Sequence, residues 1–200
     1  RAIEADIETA AKALEPAYKP RIHTFIATSD VHIDGKFKKS KEWVIEQAIK
    51  AVTKARSYVN DVEFSCEDFG RSELDYTVEV AKAAIGAGAK TINLPDTVGW
   101  LMPHESRKCI EHVINQVRAA GYDAVFSVHN HNDFGMATAN TIEGVLAGAR
   151  QVEVTVNGIG ERAGNAALEE VVAVLRTRGI GKCNILPSYI KETSALCSRF

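Results

Sequence analysis

Val62-Glu63-Phe64-Ser65-Cys66-Glu67 alternates apolar with polar residues, so Val62, Phe64 and Cys66 share one face of an extended chain and Glu63, Ser65 and Glu67 share the other. Val152 to Asn157 repeats the pattern, with Val152, Val154 and Val156 opposite Glu153, Thr155 and Asn157. Strands of an open doubly wound sheet lie under helices on both faces and read as continuous apolar runs. These two do not. The alternation therefore predicts a barrel, with the apolar face against an outer ring of helices and the polar face lining a lumen that can host chemistry. A strand face left to solvent is the competing reading, and parallel strands joined by helical crossovers rarely leave a face bare.

Outward from these strands, the chain alternates strand and helix. Helical periodicity runs from Ala2 to Leu14, and Pro16 and Pro20 punctuate it before a strand from Arg21 to Ser29. A charged link, Asp30 to Lys39, leads to a helix from Ser40 to Val59. After the strand Val62 to Glu67, Ser72 reads as a helix N-cap with Asp75 at the capping-box position, and Gly86-Ala87-Gly88 stops that helix beyond Ile85. Further strands are expected at Lys90 to Leu94, Ala124 to Val128 and Gln151 to Val156. Their helices start near Pro103, a favoured first-turn residue, and span Ala137 to Ala147 and Ala166 to Arg178. Five strand–helix units imply right-handed crossovers and a parallel sheet, hence an α/β protein. Five strands do not make the usual eight.

Composition narrows the function classes. The 200 residues are 46% hydrophobic with a formal net charge of −2, acidic and basic residues being interspersed. One globular unit is expected, with no electrostatic footprint for nucleic acid or an anionic membrane. No apolar run approaches a transmembrane length. The four cysteines, Cys66, Cys109, Cys183 and Cys197, show no C-x-x-C spacing, which suits a reduced, cytoplasmic-type compartment.

The chemistry concentrates at the strands' C-terminal ends, where parallel α/β proteins place their sites. In Val128-His129-Asn130-His131-Asn132-Asp133 the histidines at i and i+2 project from one face of a strand, which suits two imidazole nitrogens on one metal ion. Glu67 could act as a general base, whereas Asp68 reads as a loop cap or a salt bridge to Arg71. Asn93 and Thr97 flank the end of the third strand, placed to hydrogen-bond a small polar ligand. His23, if it points inward, reaches the same mouth. The loop Asn157-Gly158-Ile159-Gly160-Glu161-Arg162-Ala163-Gly164-Asn165 carries three glycines but neither a Walker nor a dinucleotide signature. On residue type alone, Asn165 reads as the N-cap of the final helix.

Five segments together carry a resemblance: His23 to Ser29, Val62 to Asp68, Pro95 to Gly99, His129 to Gly135 and Asn157 to Glu170. Over residues 1 to 178 the chain resembles the 2-isopropylmalate synthase family of metal-dependent TIM (β/α)8 barrels, which includes homocitrate and citramalate synthases and is related to CoA lyases and aldolases. The resemblance implies that His129, His131 and Asn165 are metal ligands for Mg, Mn or Zn. It implies Glu67 as the catalytic glutamate near the acetyl group, His23, Ser65, Asn93 and Thr97 as the 2-oxo acid pocket, and Asp133 as a group orienting the imidazoles. The implied reaction is a Claisen condensation of acetyl-CoA with 2-oxoisovalerate, giving 2-isopropylmalate and CoA for leucine biosynthesis in the cytoplasm by a homodimeric parent. Homocitrate or citramalate synthase, a CoA lyase or aldolase, and a non-catalytic remnant are the alternatives.

One departure from that family stands out: its first-strand Arg-Asp motif, which supplies a further metal ligand, does not precede Arg1. The expectation is therefore a partial barrel, about strands 4 to 8, in residues 1–178, followed by the start of a helical segment in 179–200. A fragment with an incomplete, inactive site is expected.

Overall fold

Five parallel strands form one sheet in chain order: β1 (Arg21–Ala27), β2 (Asp61–Glu67), β3 (Thr91–Asp96), β4 (Val125–Asn130) and β5 (Gln151–Glu153). They belong to a computed structural model that describes residues 1–200. Helices α1 (Glu4–Leu14), α2 (Lys41–Arg56), α3 (Leu74–Gly86), α4 (Pro103–Ala119), α5 (Ala137–Ala147) and α6 (Leu168–Arg178) alternate with the strands, and α7 (Ile190–Cys197) follows. None of them is long and apolar enough to cross a membrane.

The register explains the curvature. β1 pairs with β2 from Arg21↔Asp61 to Ala27↔Glu67, and β3 with β4 from Thr91↔Val125 to Asp96↔Asn130. The sheet curls until Arg21 on the first strand reaches Gln151 on the last, its Nη1 donating to Gln151 Oε1 at 2.6 Å. A flat sheet would hold those two strands apart, so the contact defines a lumen. Glu63 and Ser65 lie on the lumen side and are buried, at 3% and 4% exposure, which removes the solvent-facing reading of β2's polar face.

On the outer side, a cluster of buried apolar residues joins the strands to the helices. It includes Ile22, Val62, Phe64, Ile92, Leu94, Phe126 and Val128 from the strands and Val44, Val52, Val80, Ile110 and Val113 from the helices. In α2 the buried set Val44, Ala48, Ala51, Val52 and Ala55 follows helical spacing. Each large side chain so buried stabilises the fold by roughly 1.5–3 kcal/mol. Ser40 caps α2 by accepting from Trp43 N at 3.3 Å, and α4 opens on Pro103, with Glu105 accepting from Met102 N at 3.0 Å.

Several boundaries differ from those read in the sequence. β1 stops at Ala27, and the link after it contains a helical turn (Asp30–His32) and a π-helical turn (Ile33–Phe37). Ser72 does not cap α3; the N-cap is Glu73, and the Ser72 hydroxyl instead donates to the Asp68 carbonyl at 2.9 Å. Strands β3 and β4 run on through Pro95 and Asp96 and through His129 and Asn130. Pro95 is tolerated because β2 pairs with β3 only as far as Ser65↔Asn93, so its absent N–H leaves no ladder bond open. β5 ends early, at Glu153: Thr155 N donates to Ala166 O and Asn157 turns into the left-handed region at φ 60°. Asn157 therefore leaves the lumen face and binds Ser194 on α7.

Candidate metal centre at the barrel mouth

The lumen is layered. At its floor, Arg21 Nη1 donates to Glu63 Oε2 at 2.9 Å, and Gln151 Nε2 donates to Glu63 Oε1 at 2.9 Å and to Ser127 Oγ at 3.1 Å. Above it, His23 Nε2 lies 2.6 Å from Ser65 Oγ, and Asn93 Nδ2 donates to the same hydroxyl at 2.9 Å. Glu153 joins this layer to the next through His129, whose Nδ1 lies 2.9 Å from Glu153 Oε2. Residues two apart on a strand climb the lumen in steps, which is why Glu63 and Ser65, or Gln151 and Glu153, occupy successive levels.

At the mouth, His129 Nε2 and His131 Nε2 are 3.1 Å apart. Asn165 joins His131 across an isolated antiparallel bridge. Its Nδ2 donates to Ile159 O at 3.1 Å, which orients the amide and leaves Oδ1 without a partner. His131 Nδ1 is likewise buried and unpartnered. Gly160 makes the close approach possible, because a Cβ there would lie 2.3 Å from Asn165 Nδ2.

Burial favours the neutral, lone-pair-bearing forms of His131 and His23. Burial lowers the pKa of His131, and the neighbouring His129 adds to the effect. Burial also lowers that of His23. Burial would raise the Glu153 carboxyl, but hydrogen bonds with His129 and Glu63 outweigh it and hold it down at about 2. Its partner Glu63 is pushed up to about 7 by burial and by Glu153. An ionised Glu153 is acceptor-only, so it accepts a hydrogen bond from His129 Nδ1–H, the tautomer that leaves the Nε2 lone pair facing the mouth.

These donors fit a divalent cation. Two ligand nitrogens about 2.1 Å from one ion and at right angles stand about 3.0 Å apart, close to the spacing of the two Nε2 atoms. The orphaned Asn165 Oδ1 adds an oxygen, making a mixed N/O set. A second group with metal-ligating chemistry, His23, Glu63 and Glu153, sits in the lumen below. Its carboxylates already pair with Arg21, Gln151 and His129, so the mouth is the better cation site.

Other residues singled out in the sequence fall in different places. His23, Ser65 and Asn93 come together, with Asn93 Oδ1 buried and unpartnered. Thr97 Oγ1 accepts from Asp68 N at 2.9 Å. Glu67 stands half-buried at the end of β2, its carboxylate in no hydrogen bond, lining a cavity of about 320 Å³ with Phe25, Lys36 and Trp43. Asp68 is fully buried and gripped by Arg71, as the salt-bridge reading anticipates, and also by Ser29. Two expectations need correction. Asn165 is not the cap of α6, whose N-cap is Ala167. Asp133 bonds neither imidazole; its two oxygens accept from Arg162 instead. Glu153 is the carboxylate that orients a histidine, and its place on the polar face of β5, alternating with Val152 and Val154, was the available signal.

A family model described as HMGL-like matches residues 1–196. The chain belongs to the HMGL-like family. Among curated proteins, this HMGL-like chain is 56% identical over 178 residues to the 2-isopropylmalate synthase of Campylobacter concisus (strain 13826). It is 56% identical over 179 residues to that of Aliarcobacter butzleri (strain RM4018). The matches cover 89% of this chain but 35% and 34% of those proteins, so the chain spans about a third of their length. Among solved structures, a Bacillus subtilis HMG-CoA lyase superposes with a TM-score of 0.76 at 19% identity, covering 98% of this chain and 66% of that one. A Pseudomonas aeruginosa hydroxymethylglutaryl-CoA lyase gives 0.74 at 22%, covering 94% and 65%. These likenesses concern the fold: five strands of a TIM barrel, curved but not closed.

Proposed function

We propose that this chain is the part of a 2-isopropylmalate synthase that carries three protein ligands of its metal, the 2-oxo acid pocket and the catalytic glutamate. The reading rests on one observation above the rest: His129 and His131 converge with Nε2 atoms 3.1 Å apart beside the unpartnered Asn165 Oδ1. The curated relatives named 2-isopropylmalate synthase support the choice of reaction.

The reaction joins acetyl-CoA to 2-oxoisovalerate and consumes water, releasing 2-isopropylmalate and CoA. His129, His131 and Asn165 would hold a divalent cation, which would supply Lewis-acid polarisation of the 2-oxo acid carbonyl. Glu153 keeps His129 in the tautomer that ligates. His23, Ser65, Asn93 and Thr97 bind and orient the 2-oxo acid. The Glu67 carboxylate takes a proton from the acetyl methyl, and the carbon so activated attacks the carbonyl carbon. Water then cleaves the thioester and CoA leaves as the thiol. Residues 1–178 form the barrel part and 179–200 lead into a helical segment. Four free cysteines suit a cytoplasmic setting, and the parent acts as a homodimer.

The test is a chimera in which residues 1–178 replace the matching segment of the Campylobacter relative. Thiol release from acetyl-CoA with 2-oxoisovalerate, lost on chelation and restored by Mg or Mn, is the expected result. Activity only with 2-oxoglutarate or pyruvate keeps the condensing chemistry and overturns the substrate. Cleavage of 3-hydroxy-3-methylglutaryl-CoA without condensation overturns the synthase reading.

A further inference from the structure

Arg162 sits at the exposed tip of the glycine-rich loop between β5 and α6, in the left-handed region at φ 53°. A non-glycine residue pays for that conformation, so its side chain is expected to gain something there. It does. Nε and Nη2 donate to Asp133 Oδ1 and Oδ2 at 2.6 and 3.0 Å, a bidentate pair, and Nη2 also donates to Thr97 O at 2.9 Å. One guanidinium thus ties together the loops that follow β3, β4 and β5. The pair holds the Asp133 carboxyl below, and the Arg162 guanidinium above, their usual ranges.

The backbone around the pair is built for close approach. Gly99 has φ 58°, and a Cβ there would lie 2.7 Å from Asp133 N and 2.8 Å from Asp133 Oδ2. Gly164 has φ 92°, and a Cβ there would lie 2.2 Å from Gly158 O. Asn132 N donates to Gly164 O and Asn165 N to Gly158 O, both at 2.9 Å, so the segment that carries Asn165 is pinned on either side of Arg162. Thr97 in turn holds Asp68 N, the amide that follows Glu67. The contacts form a continuous path from Asn165, through Arg162 and Thr97, to the residue beside Glu67.

From this geometry we infer that Arg162 and Asp133 form a latch that positions Asn165 over the histidine pair and fixes it relative to the Glu67 strand end. Neither residue ligates the cation or touches substrate; both act through Asn165 and Thr97. The inference rests on the metal reading above.

The test uses the 200-residue chain with Asp133→Asn, Arg162→Gln and Arg162→Lys. Amide hydrogen exchange without metal reports the loop, and Mn2+ titration followed by electron paramagnetic resonance reports the cation. Opening the latch is expected to speed exchange at Gly164 and Asn165 at least about tenfold, with the β2–β4 amides unchanged. It should weaken Mn2+ binding about 10- to 100-fold, the range for groups that orient a ligand. Arg162→Lys, which keeps the charge but not the fork, should recover part of both effects. Unchanged exchange at Gly164 and Asn165 in Asp133→Asn and Arg162→Gln overturns the latch, whatever the metal does. Faster exchange with unchanged Mn2+ affinity also overturns it, because the loop then moves without moving a ligand. A wild-type chain that binds no Mn2+ overturns the metal reading instead, and exchange alone then decides whether the latch holds the loop.

Discussion

The floor and the mouth of the lumen use similar side chains to opposite ends. At the floor, Arg21, Glu63, Gln151 and Ser127 satisfy one another, and a buried carboxyl finds both a guanidinium and an amide. At the mouth, Asn165 Oδ1 is buried without a partner beside two imidazole Nε2 atoms that face each other. Unpaired buried polar atoms cost about 1–3 kcal/mol each, so a fold tolerates them where a ligand recovers the loss. The difference teaches where to look: paired polar atoms in this lumen build the barrel, and unpaired ones mark its chemistry.

The largest expected effect comes from removing a mouth ligand. His131→Ala should weaken Mn2+ binding by more than about 100-fold, beyond the loss that an outer partner causes, with the circular dichroism spectrum unchanged; retained affinity would remove His131 from the site. Glu153 belongs to both regions and comes next. Glu153→Gln leaves a carboxamide beside His129 Nδ1 and should cost about 10- to 100-fold in affinity, read by the same titration. Equal affinity would mean that the tautomer of His129 needs no carboxylate.

Floor substitutions should change stability and spare the metal. Arg21→Met strips Glu63 of its cation and should lower unfolding free energy by about 1–3 kcal/mol in urea. Adding Glu63→Gln should recover most of the loss, since the carboxylate is then gone. Glu63 also predicts a pH dependence. Burial and the neighbouring Glu153 push its folded-state pKa up to about 7, above the ordinary carboxylate range, so between that range and about pH 7 the folded chain holds a proton that the unfolded chain has lost. Stability should therefore fall as pH rises through that window, and Glu63→Gln should flatten the decline. The smallest effect belongs to Ser127→Ala, below about 1 kcal/mol and without consequence for Mn2+. A floor variant that cut Mn2+ affinity as deeply as Glu153→Gln would erase the distinction between the regions.

The sequence carried the barrel because alternation is a local property. Glu63 and Ser65 opposite Phe64 and Cys66 could be read from β2 alone, and the buried lumen bears the reading out. His129 and His131 were legible for the same reason, as neighbours two apart on one strand. Asn165 was legible only through the family resemblance: its segment meets that of His131 through a bridge between positions 34 residues apart, and its residue type alone suggests a helix cap. Asp133 misled in the opposite direction. It follows the histidines closely in sequence, yet Gly99 lets its loop bend toward Arg162, and no local pattern encodes that turn. β5 also broke its own pattern, because pairing with β4 stops at Glu153, Thr155 N turns to Ala166 O, and Asn157 then takes a left-handed conformation.

The most direct measurement is the electron spin echo envelope modulation of Mn2+ bound to this chain, in wild type, His131→Ala and Arg21→Met. The account predicts coupling from two imidazole nitrogens in wild type and Arg21→Met, and from one in His131→Ala. No nitrogen coupling in wild type, or two nitrogens surviving in His131→Ala, would contradict the claim that the mouth of the lumen is a metal centre.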